Sequence, residues 1–277
     1  MRKIGLLLAA LAACSSGPRL PRAAEGAPAL TVGGAVRGGP FALGRADLER
    51  LPRRGVHGVD PSSGREALWE GTSVVEMVSR RVELQRGADV AIVRTADRAA
   101  IAIPLTVIRQ LKPVLADRAD GVRFAPSVLA WPTLEQRGLE TDPRAALWWA
   151  RDVIAFDLVD WQKTFGAALA TPDGAPDGAR RGSASYGERC IGCHRMRGVG
   201  GDRGPELTTV AARIRQAPFA ALLEKHPGWK GTGGDPPGEQ GARELWSFLH
   251  AVSAAEPNAA PPDPLTADRA TPTANSP

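Results

Sequence analysis

Cys190-Ile191-Gly192-Cys193-His194 is the stretch from which the rest of this chain is read. Two thiols two residues apart, followed at once by an imidazole, have the spacing at which both sulfurs join a haem as thioethers while the histidine reaches its iron. A zinc ribbon built on the same Cys-x-x-Cys needs a second Cys or His pair at short spacing, and the sequence has none. The expectation is one covalent haem c on Cys190 and Cys193, with His194 as the proximal iron ligand.

Working outward, residues 185–252 resemble class I cytochrome c. The resemblance is carried by Tyr186-Gly187-Glu188-Arg189 running into the motif, by Gly204-Pro205-Glu206-Leu207, and by Ala242-Arg243-Glu244-Leu245-Trp246-Ser247-Phe248-Leu249. It implies an all-α cytochrome c domain over 182–256, whose first helix enters the motif and is crossed by its last. Gly187 would permit the close crossing, with Trp246 or Phe248 as the aromatic opposite it. It also implies that the Pro205 carbonyl holds the second ring nitrogen of His194, that Leu207 packs on the haem face, and that Trp246 belongs to the cofactor's surroundings.

The sixth ligand departs from the family pattern, which places a methionine before the last helix. Met196 follows His194 by two residues and is tied to the proximal side. His226 is the distal candidate: it precedes Pro227, follows the helical run Phe219-Ala220-Ala221-Leu222-Leu223-Glu224, and stands one loop ahead of the helix expected over 243–252. His250 reads as exposed, and Met77 as a core residue of an apolar helical stripe. Two nitrogen ligands leave a haem at lower potential than His/Met ligation. Without His226 the iron keeps an open position, and small-molecule binding or peroxide chemistry becomes the alternative.

The other cysteine lies at the opposite end of the chain. Arg2 and Lys3 precede an apolar run over 4–13, the form of a targeting segment. Leu11-Ala12-Ala13-Cys14 resembles the bacterial lipobox, which implies a signal peptide over 1–13 and lipidation of Cys14. All three cysteines then have a covalent role. Residues 14–28 read as a tether and 166–181, with Pro-Asp-Gly-Ala-Pro-Asp-Gly, as a linker. The tail over 257–277 is rich in Pro and Ala and reads as disordered.

Residues 29–165 mix strand and helix signals: short β-prone runs at Leu30-Thr31-Val32, Val90-Ala91-Ile92-Val93 and Ala100-Ile101-Ala102-Ile103, and helices over 45–51 and 73–81. Leu30-Thr31-Val32-Gly33-Gly34-Ala35-Val36, Ala46-Asp47-Leu48, Asp60-Pro61, Trp69-Glu70-Gly71-Thr72 and the stretch 149–158 resemble the framework of the sulfite-oxidase-type molybdopterin-binding domain. The resemblance implies an α+β N-terminal domain. That family holds molybdenum by a cysteine thiolate, and 29–165 contains no cysteine. His57, where the ligand loop would lie, cannot replace a thiolate without changing the chemistry. The expectation is a docking module without a molybdenum cofactor.

With 35 Lys and Arg against 30 Asp and Glu, the net charge of +5 is spread along the chain and forms no concentrated basic face for nucleic acid. Arg189, Arg195, Arg197 and Arg203 bracket the haem motif and read equally as a ring steering acidic partners or as solvated arginines. The sequence thus points to a lipid-anchored, periplasm-facing electron carrier whose partners are periplasmic or membrane redox proteins. A haem-containing molybdenum oxidoreductase of sulfite-dehydrogenase type and a five-coordinate haem sensor or peroxidase stay open as alternatives.

Overall fold

The computed structural model describes residues 29–80, 83–140, 142–226 and 236–256. The targeting segment, Cys14, the tether over 14–28, the tail over 257–277 and most of the glycine-rich stretch after His226 lie outside the described residues. No described helix is long and apolar enough to cross a membrane.

A five-stranded mixed sheet organises the chain. Its order is β2 (Phe41–Leu43), β1 (Leu30–Gly34), β9 (Val153–Val159), β5 (Val90–Thr95), β6 (Ala100–Pro104), with β1 and β9 parallel and the other neighbours antiparallel. A second, four-stranded antiparallel sheet runs β3 (Arg53–Asp60), β4 (Arg65–Ser73), β7 (Val114–Ala119), β8 (Val122–Ala130). Helices α1 (Arg45–Arg50), α2 (Val74–Arg80), α3 (Leu105–Leu111) and α4 (Pro143–Trp148) occur within this part. Asp142 caps α4 by accepting from the Arg144 amide at 2.9 Å, with Pro143 at the first helical position.

The five-stranded sheet is buried on both faces. Successive strand residues point to opposite sides, so Ala91, Val93 and Ile103 join one core with Leu30, Val32, Phe156, Met77 and Ile108, while Val90, Ile92 and Ala100 join another. That second core is completed from the C-terminal part, by Ala179, Tyr186, Ile191, Leu245, Phe248, Leu249 and Val252, and by Phe165 of α5 (Trp161–Leu169). A continuous apolar run such as Val90-Ala91-Ile92-Val93 is the mark of a strand covered on both faces.

The C-terminal part holds α6 (Asp177–Arg189), a two-stranded ladder of β10 (Arg195–Met196) and β11 (Val199–Gly200), a 3-10 turn (Val210–Ala212), α7 (Gln216–Glu224) and α8 (Glu239–Ala255). Along α8, Ala242, Leu245, Trp246, Phe248, Leu249 and Val252 are buried at helical spacing. A Cβ on Gly182 would stand 2.0 Å from the Glu244 carbonyl oxygen, so α6 and α8 cross at Gly182. Gly187, expected at that crossing, instead faces Leu169 and Trp161. One turn along α6, Tyr186 meets Phe248 with ring centres 5.6 Å apart.

The expected fold class, an α+β domain followed by a separate all-α cytochrome c domain, is therefore corrected. The described residues form a mixed α/β arrangement of eleven strands in three sheets, and no all-α C-terminal domain stands apart. Two physical reasons account for the difference. The ladder β10–β11 is too short to leave a periodic signal, and the helices bury their apolar stripes against β5 and β6 rather than only against one another. The stretch expected as a linker, 166–181, holds the end of α5 and the start of α6, and only 170–176 is left between them.

Candidate functional site

The Cys-x-x-Cys-His segment leaves the end of α6 as a tight turn. The Cys190 and Ile191 amides donate to the Tyr186 carbonyl at 2.9 and 3.0 Å, and the Cys193 and His194 amides donate to the Cys190 carbonyl at 3.1 and 2.9 Å. The Tyr186 hydroxyl donates to the Arg195 carbonyl at 3.1 Å, fixing the chain just beyond the histidine. The β5–β6 hairpin is tied to the same turn: the Ala100 amide donates to the Gly192 carbonyl at 2.7 Å, and the Asp202 amide to the Arg98 carbonyl at 2.9 Å.

Gly204 and Pro205 set the histidine ring. A Cβ on Gly204 would lie 2.3 Å from His194 Cε1, so only glycine lets the backbone pass beneath the imidazole. His194 Nδ1 is 2.8 Å from the Pro205 carbonyl oxygen. With the proton on Nδ1 donated there, Nε2 keeps its lone pair for a metal. Burial pushes the His194 pKa down, which favours the neutral, ligating form.

The His226 ring stands 5.6 Å from the His194 ring, centre to centre. Two imidazoles holding one metal from opposite sides, at about 2 Å per bond, have ring centres about 6 Å apart. Both rings line a cavity of about 590 Å3 together with Cys190, Cys193, Pro205 and Leu207. That volume lies within the range of about 300–1,000 Å3 typical of cofactor-sized sites. The donor set and the apolar walls, Leu207, Leu245 and Leu249 among them, fit a haem.

Burial and the neighbouring Cys193 push the Cys190 thiol up to about 12. A redox-active Cys-x-x-Cys needs the opposite, a thiolate stabilised near neutral pH. Capture as a neutral thioether suits a sulfur in this surrounding. Among the described residues no group of three or more His, Cys, Asp or Glu side chains is arranged to hold a metal ion.

Trp246, expected among the cofactor's surroundings, lies apart from the cavity and packs against Phe219 at 5.2 Å. His250 is near Trp246, Met196 is fully buried in β10, and Met77 belongs to the core under the five-stranded sheet. His57 is not in a loop: it is an exposed residue within β3, paired with Leu68, and its amide donates to Glu135 at 2.6 Å. Neither a thiolate nor His57 reaches the cavity from 29–165, so the residues present do not fit a thiolate-held molybdenum.

Three of the arginines that bracket the motif are engaged in ion pairs, Arg203 while still about half exposed. Arg197 donates to the Ala167, Ala168 and Ala170 carbonyls at the end of α5 and pairs with Glu256. Arg195 pairs with Asp202 at 3.1 Å, and Arg203 pairs with Asp97. Arg189 lines the cavity.

The cavity's other wall, unforeseen in the sequence, comes from the N-terminal part: Ile101, Ala102, Asp60, Ser62, Trp148 and Arg151. Asp60 is almost fully buried and accepts from both the Ser62 amide and hydroxyl, from the Ser63 hydroxyl and from Arg151. Burial raises its pKa, but these hydrogen bonds and the Arg151 charge together hold it below the usual carboxylate range. No protein-family model matches this sequence, and no curated protein matches it.

Proposed function

We propose that the chain is a monohaem c-type electron carrier, its haem c joined to Cys190 and Cys193 and its iron held by His194 and His226. The observation that supports this most is the pairing of the two imidazoles across one apolar cavity, 5.6 Å apart, with both motif cysteines on its wall. When bound, the haem supplies one-electron oxidation and reduction of its iron. The protein's share is orientation and exclusion of water. Gly204 and Pro205 aim the proximal ring, Tyr186 fixes the loop behind it, and Leu207, Leu245 and Leu249 would give the haem apolar walls.

His226 beside His194 favours the six-coordinate carrier over the five-coordinate sensor or peroxidase. The N-terminal part, read from sequence as a docking module, contributes a wall of the same cavity. Export and lipidation of Cys14 complete the proposal: an anchored carrier held beside membrane or periplasmic redox partners.

The test is production of the full chain with a working haem-maturation system. A mass raised by one macrocycle and a low-spin optical spectrum are expected. The His226→Ala variant should keep the added mass, turn high-spin and bind carbon monoxide when reduced. A colourless wild type overturns the carrier; an unchanged low-spin variant removes His226 as ligand.

A further inference from the structure

The cavity around the two imidazoles is a single continuous volume whose walls come from both parts of the chain. On the N-terminal side its lining is not merely apolar. Arg151 reaches it from the turn before β9, and Arg203 from the loop before Pro205. Both side chains are about half exposed, so each keeps guanidinium donors beyond those engaged by its carboxylate partner and, for Arg151, by the Ser62 hydroxyl.

Arg151 is held with unusual care. Its partner Asp60 is 3% exposed and is itself fixed by Ser62 and Ser63. The next residue, Asp152, takes φ of 56°, and its carbonyl accepts from the Ala96 amide at 2.9 Å, pinning this turn to the β5–β6 hairpin. A non-glycine residue in that region of backbone space marks a position the surroundings over-determine. Arg203 is likewise tethered to the hairpin through Asp97.

From this the geometry points to a second role for the N-terminal part: Arg151 and Arg203 are the carboxylate-binding groups of the haem site and take the macrocycle's propionates. The inference rests on the haem reading above. A planar guanidinium fork is the group best matched to a carboxylate, and a pre-oriented one loses little freedom on binding. Asp97 and Asp60 keep the arginines in place without exhausting them. The other charged or titratable groups on the same cavity are Asp152, Tyr186, Glu188, Arg189, the two motif cysteines and the two imidazoles, and all must be present in any measurement of its pH behaviour.

The test uses the full-length holoprotein and the variants Arg151→Gln, Arg203→Gln and Arg151→Lys. Loss of a positive group beside the haem should disfavour reduction by about tenfold, equal to about 59 mV for one electron. A propionate released from its arginine should also protonate in the neutral range, so the glutamine variants gain a pH-dependent potential between about pH 5 and 8 that the wild type lacks. Arg151→Lys should restore most of the potential. Arg203→Gln removes only an exposed ion pair, which contributes little to stability, so it tests the idea even if Arg151→Gln fails to fold.

A lowered potential with an unchanged pH profile, or no change at all, overturns the propionate contact while leaving the covalent haem in place. A shift that appears only on adding inorganic phosphate assigns the guanidiniums to a free anion and equally overturns it. A wild-type chain without haem overturns both this inference and the carrier.

Discussion

The two larger sheets of this molecule are built from similar residues but written in different patterns. In β3 the burial alternates, with Val56 and Gly58 inside and His57 between them exposed, because this edge strand turns one row of side chains to solvent. In β5, Val90 to Val93 are all buried, because one face meets α2 and α3 and the other meets the C-terminal helices. The first sheet closes a small core around Val56, Trp69, Val114 and Val128 on one face, while Leu115 and Leu129 on its other face join the core of the five-stranded sheet. The second is incomplete until α5, α6 and α8 lie on it, and the candidate site forms along that junction.

The largest expected effect tests this contrast. Ile92→Ala empties a place in the shared core and should cost about 2–5 kcal/mol in urea unfolding. It should also disturb the spectrum of the proposed haem, because the same core carries Ile191 and Tyr186. Val56→Ala, in the self-contained core of the other sheet, should cost about 2 kcal/mol and leave the spectrum alone. If Ile92→Ala left the spectrum untouched, the idea that sheet and site share one core would fail.

A smaller effect is expected where the two sheets meet. Asp60, at the end of β3, pairs with Arg151 just before β9. Asp60→Asn should cost about 1–3 kcal/mol at neutral pH, the worth of hydrogen bonds to a charged group. The carboxyl's folded pKa lies below its ordinary value of 3.8, so its contribution is present above that value and is lost as the pH falls through the folded pKa. The gap between wild type and variant should therefore close in acid. A gap constant from neutral pH to well below 3.8 would show that the carboxylate's charge does not matter there.

Much of the site was legible because its elements are local. The Cys-x-x-Cys-His turn, the helix into it, α7 before His226 and the stripe of α8 are each written within one stretch of chain. The contact of His194 with the Pro205 carbonyl is the one the family resemblance implies for the Gly-Pro pair ten residues on, and Gly204 is there because the ring would collide with anything larger. The second wall was not legible. Asp60, Trp148 and Arg151 come to the cavity only through the pairing of distant strands, and no spacing in the sequence announces that. One signal is present in the sequence: the unbroken apolar run of β5 marks burial on both sides, hence a second partner for that sheet. The crossing glycine was misplaced for a similar reason. Gly182 and Gly187 both lie on α6, and which of them meets α8 depends on the rotation of the helix as α5 fixes it.

The smallest expected effect sharpens the contrast from the other side. Val122 begins β8 and is 68% exposed. Substitutions at such positions usually stay within about 0.5 kcal/mol. Thr keeps the β-branched shape that a strand favours while removing apolar surface, so Val122→Thr should be near neutral in thermal unfolding. A loss above about 1 kcal/mol would mean that this residue is covered in solution. The exposed end of the four-stranded sheet would then depend on a partner, as the five-stranded sheet depends on the C-terminal helices, and the contrast between the two would fall.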